Sequence, residues 1–273
     1  MPAAGLSPSP HAVRPCIETL RAYVRRTERG GLATEATSAA PFGIAEIDAR
    51  LPAGGLARGA LHEVYARTPG DAGAASAFCA ALLARLVGPP DGNRPDRQDR
   101  TALWCLQDRT TDAGELYPPG LARLRLDASR LLAVRTRRDA DTLWAMEEGL
   151  RCSSLAAVVG EVKAGDLTAS RRLQLAAEAS GVTALLLRPA SDAPDASAAA
   201  TRWRIGAAPS RPRGWAAELD EPGPECWQAT LFRCRGGAPG NWTMEWRDET
   251  GDLALAAPVR DRPGKPRDTG LAG

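Results

Sequence analysis

The chain has 273 residues, 44% of them hydrophobic and 25% charged, with a formal net charge of +2. That length suits one α/β core with ragged ends, and so balanced a charge does not by itself demand a nucleic-acid partner. No apolar stretch reaches the ~20 residues that a membrane-spanning helix needs.

The leader, residues 1–13, is rich in Pro, Ser and Ala and is expected to be disordered. It lacks the basic and apolar regions of a signal peptide, so a cytoplasmic protein is expected. Next, Cys16–Glu28 has helical spacing, and a helix is predicted over 14–30. Ile17, Leu20, Tyr23 and Val24 share one stripe, with Arg21, Arg25 and Arg26 elsewhere. Residues 31–41 read as a linker to a main domain over 42–258. Within it, Leu61–Tyr65 reads as a strand and Ala74–Val87 as a buried helix. After a polar loop at Pro89–Arg100 come a strand at Ala102–Leu106, a short helix at Pro118–Leu124 and a strand at Leu131–Arg135. A helix over Asp141–Arg151 and a strand at Leu155–Val159 follow. Thr168 is expected to cap a helix that runs to Ser180, with Gly181 at its C-terminal end, before a strand at Val182–Arg188. This alternation, with continuous apolar strands, predicts a mostly parallel sheet covered by helices on both faces. Ala199–Ile205, Gln228–Cys234 and Trp242–Arg247 have no helices between them, so antiparallel strands or a hairpin are expected at the C-terminal end. The tail, 259–273, is expected to be disordered.

The stretch Phe42–Tyr65, FGIAEIDARLPAGGLARGALHEVY, resembles the lead-in to the core domain of RecA and its relatives. There a short helix passes through a Gly-Gly-Leu-x-x-Gly turn into the first core strand, which runs directly into the phosphate loop. Gly54, Gly55 and Gly59 allow the tight backbone such a turn needs. Within that superfamily the chain is similar to the ImuA family. The blocks that carry this are LHEVY, RRDADTLWAMEEGLR, AAVVGEV, LTASRRLQLAAEASGVTALLLR and SAAATRWRIG. The resemblance implies a RecA-like α/β fold and an accessory role in SOS-induced, error-prone DNA synthesis. It implies RecA and an ImuB-like protein as partners, and an indirect link to an error-prone replicative-type polymerase.

A working phosphate loop needs GxxxxGK[ST], whose amides cradle phosphates while the lysine meets their charge and the hydroxyl holds Mg²⁺. Here the matching segment is Ala66–Ala75, ARTPGDAGAA. Gly70 and Gly73 remain, but the lysine and hydroxyl positions are Ala74 and Ala75. Arg67 lies on the wrong side of the loop to replace the lysine. A charged hydrogen bond contributes ~1.5–3 kcal/mol, so losing it with the metal anchor lowers nucleotide affinity by several powers of ten. Asp108 and Glu161 stand near the ends of their strands and read either as relics of catalytic carboxylates or as ordinary loop residues. Cys79, Cys105 and Cys152 fall in apolar segments and are expected to be buried, reduced thiols. With His11 and His62 as the only histidines, neither a zinc site nor a Ser–His–Asp triad is expected, and His62 reads as structural. No enzyme activity, cofactor or metal is expected.

Three surfaces could bind partners. Leu20, Tyr23, Val24 and Arg25 form the first; the helix either docks on a partner or packs on its own domain. Arg202, Arg204, Arg211 and Arg213 interleave with Trp203 and Trp215 and could contact single-stranded DNA, or they form a solvated face over a core Trp203. Trp242, Met244 and Trp246 share one strand face, which is core or a partner site. Taken with the resemblance, these readings point to a non-catalytic adaptor. A SulA-like cell-division inhibitor and a weak RecA-like ATPase are the alternatives.

Overall fold

A computed structural model describes residues 39–88, 100–107, 115–192, 194–210, 212, 218–219 and 223–256. The predicted N-terminal helix, the leader, the tail, most of the Pro89–Arg100 loop and Asp108 lie outside the described residues.

The chain begins with β1 (Ala39–Ala40), α1 (Ala45–Asp48), β2 (Leu56–Ala57) and β3 (Leu61–Ala66). A 3-10 turn at Pro69–Asp71 leads into α2 (Ala72–Val87), followed by β4 (Thr101–Gln107) and α3 (Pro118–Arg123). Then come β5 (Leu131–Thr136), α4 (Asp139–Leu150), β6 (Leu155–Glu161), α5 (Leu167–Ser180) and β7 (Thr183–Arg188). The last elements are β8 (Thr201–Ala207), β9 (Cys226–Cys234), β10 (Gly240–Arg247) and β11 (Asp252–Leu255).

Nine strands form one mixed sheet in the order β11-β10-β9-β8-β3-β7-β6-β4-β5. From β5 to β8 the pairing is parallel; β8, β9, β10 and β11 pair antiparallel. The parallel core with helices and the antiparallel C-terminal end are as the sequence predicts, and the topology is RecA-like. β3 and β7 are buried along their whole length, as continuous apolar strands between two helical layers should be. At the sheet edge, β5 leaves Leu132 and Val134 exposed.

One face of the sheet carries α2, whose ten buried side chains reach Val64, Trp104, Val159 and Leu185 across the strands. With the 3-10 turn before it, Pro69–Val87 is 19 residues long and apolar enough by composition to cross a membrane. The expectation that no segment qualifies is therefore corrected; in this fold the helix is the central core element. Beside it Phe42, Phe78, Trp203, Trp227 and Trp242 pack in one aromatic group with ring centroids 5.3–6.2 Å apart along its closest pairs. Such pairs contribute about 0.5–1.5 kcal/mol each beyond the area they bury. Met244 and Trp246 are also fully buried there, so the face they share with Trp242 is core. The opposite face of the sheet packs Met146, Leu150, Leu173 and Ala177 of α4 and α5 on Leu61, Leu103 and Val158.

Three local expectations change. Ala39–Ala40, read as linker, pairs with β2, and Ala40 is buried. Asp166, not Thr168, caps α5: its Oδ1 accepts the Ala169 amide at 2.7 Å. Cys152 is exposed, while Cys79 and Cys105 are buried and their thiol pKa values are pushed up by burial.

The lead-in glycines have a geometric reason. Gly59 holds a φ of +63°, and a Cβ there would stand 3.0 Å from Gly181 Cα and 3.2 Å from the Ala177 carbonyl. Gly59→Ala should lower stability by about 2 kcal/mol, read as a lower urea midpoint.

Candidate functional site

β3 ends at Ala66 and α2 starts at Ala72, so only Arg67–Asp71 connects them. The connection closes on itself. The Asp71 carboxylate accepts the Thr68 amide at 3.0 Å, the Thr68 hydroxyl at 2.7 Å and the Ala207 amide of β8 at 2.8 Å. Partial burial alone would raise its pKa. The Thr68 hydroxyl, the Ala207 and Thr68 amides and the charge of Arg67 outweigh that and hold the carboxyl below its usual range. Arg67 runs across Gly206, where a Cβ would come within 3.0 Å of Arg67 Cδ, and donates to Gln228 Oε1 on β9.

The amino end of a helix that follows a glycine-rich loop is an anion site because free amides point at the ligand. Here the Asp71 carboxylate takes the Thr68 amide of the turn and the Ala207 amide of β8, and makes no side-chain bond to the first amides of α2. Gly70 and Gly73 keep ordinary negative backbone angles, and a Cβ at Gly73 would meet nothing within 4 Å, so neither forms a cradle. Ala74 and Ala75 lie in the first turns of α2, and Ala75 is buried against the core. These residues do not fit a magnesium–nucleotide complex.

The strand ends beyond the loop are also engaged. Glu161 accepts Trp104 Nε1 at 3.1 Å and the Gln107 amide at 3.3 Å. Asp139, at the start of α4, accepts the Lys163 and Ala164 amides at 3.2 and 2.7 Å and so fixes the loop after β6. Between α2 and the carboxyl ends of β4, β6 and β7 is a cavity of about 130 Å³, lined in part by Ser76, Leu106, Glu161 and Leu187. Among the described residues no group of three or more His, Cys, Asp or Glu could hold a metal ion.

The arginine stripe is redistributed. Arg202, read from the sequence as a possible DNA contact, is buried: its Nε donates to Glu63 Oε2 at 2.6 Å and its Nη2 to the Tyr65 hydroxyl at 2.6 Å. The reason is register, since β3 and β8 pair Glu63 with Arg202 in the sheet interior. Glu63 also accepts the Ser197 hydroxyl at 2.6 Å and the Tyr65 hydroxyl at 2.9 Å. Arg204 is partly exposed, donates to the Ser191 carbonyl at 3.0 Å and lies over the Phe232 ring at 5.2 Å. Trp203 is fully buried. Arg211, Arg213, Trp215, Leu20, Tyr23, Val24 and Arg25 lie outside the described residues.

His62 is structural. Its Nε2–H donates to the Ala57 carbonyl at 2.8 Å, and Nδ1 accepts the Thr201 hydroxyl at 2.7 Å, which in turn accepts Trp203 Nε1 at 2.9 Å. Burial lowers its pKa from 6.5 to about 4, against the raising effect of the Ala57 carbonyl.

Sequence reasoning missed Asp71, Glu63 and Arg188 as site residues. Asp71 had a legible signal: Thr68-x-x-Asp71 just before an apolar run follows the capping-box pattern. Glu63 and Arg188 had none, because their surroundings come from strands far away in sequence.

No protein-family model matches the chain. It is similar to the curated protein ImuA of Caulobacter vibrioides, in strain NA1000 / CB15N and in strain ATCC 19089 / CIP 103742 / CB 15. Each is 39% identical over 215 residues, which cover 75% of this chain and 82% of the relative.

Two outcomes are expected. Asp71→Ala should cost about 1 kcal/mol of stability, as other lost caps do, measured by urea unfolding; an unchanged midpoint would show that the carboxylate holds nothing. His62 gives a pH signature. Above pH 6.5 both states keep a neutral imidazole and stability is complete. As pH falls toward 4 the unfolded chain binds a proton that the folded chain refuses, so stability drops by up to about 3 kcal/mol. Urea midpoints at pH 7 and 4.5 should differ less in His62→Gln than in the wild type.

Proposed function

This chain belongs to the ImuA family, and on that premise we propose that it is a non-catalytic adaptor in damage-induced, error-prone translesion DNA synthesis. Its partners in this reading are RecA, an ImuB-like protein, or both, with an indirect link to an error-prone replicative-type polymerase, and it works in the cytoplasm. The observation that supports the negative half is the loop before α2, whose lysine and hydroxyl positions are Ala74 and Ala75 and whose Asp71 carboxylate is taken up by the Thr68 amide and by the Ala207 amide of β8. A scaffold with that contact in place of nucleotide chemistry works through its surfaces. Leu20, Tyr23, Val24 and Arg25 are the proposed partner-binding residues, because their apolar stripe with flanking arginine suits docking on another protein.

The experiment is a pull-down of the purified chain with RecA and with the ImuB-like protein, separately and together. Retention of at least one is expected, with Leu20→Glu/Val24→Glu weakening it tenfold or more. Retention of neither partner sinks the adaptor reading.

A further inference from the structure

β7, β3 and β8 are in register at their carboxyl ends: Tyr65 pairs with Arg188 on one side and with Arg204 on the other. Adjacent strands lie ~4.8 Å apart, so the two arginines stand roughly 10 Å apart at their Cα atoms, on one face of the sheet, with Tyr65 between them. One row back, Glu63 is paired with Arg202. The guanidiniums and rings interleave: Arg188 lies 5.6 Å and Arg202 5.3 Å from the Tyr65 ring, and Arg202 5.4 Å and Arg204 5.2 Å from the Phe232 ring.

The charges in this cluster do not balance. Glu63 is its carboxylate, and Arg202 takes it at 2.6 Å. Arg188 is only 8% exposed, and its Nε–H is sealed from solvent without an acceptor. Arg204 donates to a carbonyl, not a carboxylate. Among the described residues neither arginine makes an ion pair, and Asp192 and Asp195 on the segment that follows β7 reach neither. A buried guanidinium with an unmet donor is unfavourable unless an anion completes it. Tyr65 gives Arg188 a ring face that offsets part of this, while its hydroxyl accepts from Arg202.

We propose that Arg188 and Arg204 form a phosphate-binding site at the carboxyl ends of β7, β3 and β8. Two uncompensated guanidiniums match a dianion, and the planar donor fork suits phosphate oxygens. A monoanionic carboxylate would leave one of them unmatched. The phosphate is either free or carried at the 5′ end of a single strand. Carboxyl strand ends are where ligands sit in open α/β sheets, and Arg188 also lines the cavity that Ala72 and Ser76 border. It does not depend on the adaptor reading.

The test uses the full chain. Thermal melting is followed against inorganic phosphate, with chloride at matched ionic strength as reference. The wild type should show a saturable rise in Tm. Arg204→Gln and Arg188→Lys should raise the half-saturating concentration at least tenfold, with folding checked by circular dichroism. If Arg188→Lys fails to fold, Arg204→Gln carries the comparison. No saturable rise, or the same half-saturation in a folded variant, overturns the proposal. A second arm compares a 5′-phosphorylated oligonucleotide with its 5′-hydroxyl twin. Tenfold tighter binding of the first, lost in Arg204→Gln, assigns the site to a strand end. Equal binding beside a saturable phosphate response assigns it to free phosphate.

Discussion

The Asp71 carboxylate draws together two parts of the chain just ahead of α2: its own turn through Thr68 and the end of β8 through the Ala207 amide. With that contact made, β3 passes into α2 over the five residues Arg67–Asp71. The helix then lies across β3, β7, β6 and β8 and fills one face of the sheet with Phe78, Leu82, Leu83 and Leu86. In a nucleotide-binding loop the amides wait for an external anion. Here the Asp71 carboxylate closes the turn on Thr68 and ties it to β8.

A second set of charges sits in the sheet interior. Glu63 and Arg202 are both almost fully buried, and such a pair is tolerable because it has further partners in Ser197, Tyr65 and the ring faces of Tyr65 and Phe232. A buried ion pair adds little net stability against an apolar replacement, but removing one partner costs about 3–5 kcal/mol. Its structural consequence is register. The pair lets β8 meet β3 with Arg202 opposite Glu63, which puts Arg204 opposite Tyr65 and creates the row that includes Arg188. The same strand sends Trp203 into the other face, where the Trp203–Thr201–His62–Ala57 hydrogen-bond chain ties β8, β3 and β2 together.

Most elements could be read from the sequence because their signals are local. Continuous apolar runs such as Leu155–Val159 and Val182–Arg188 become interior parallel strands, and Gly181 ends α5 in the left-handed region. The missing lysine and hydroxyl at Ala74 and Ala75 were equally plain, since they are absences at fixed positions. Where neighbours compete, local reading erred by small steps: Asp166 is a stronger helix cap than Thr168 and sits one residue before the first turn. The stretch read as linker gained a strand only because β2 lies beside it.

The amino-acid sequence by itself therefore determined the class of fold, the order of elements and the loss of the phosphate-loop side chains, since periodicity, turn residues and motif positions are all carried by near neighbours. Tertiary structure alone decided the use of each charge. Arg202, Arg204 and Arg188 look alike as letters, yet sheet register gives the first a carboxylate, the second a carbonyl and an exposed flank, and the third a ring face with an unmet donor. Asp71 likewise becomes the internal anion only when β8 brings the Ala207 amide to it, across 136 positions of chain. Burial and long-range pairing set the electrostatics of a side chain, and neither is written in its sequence neighbours.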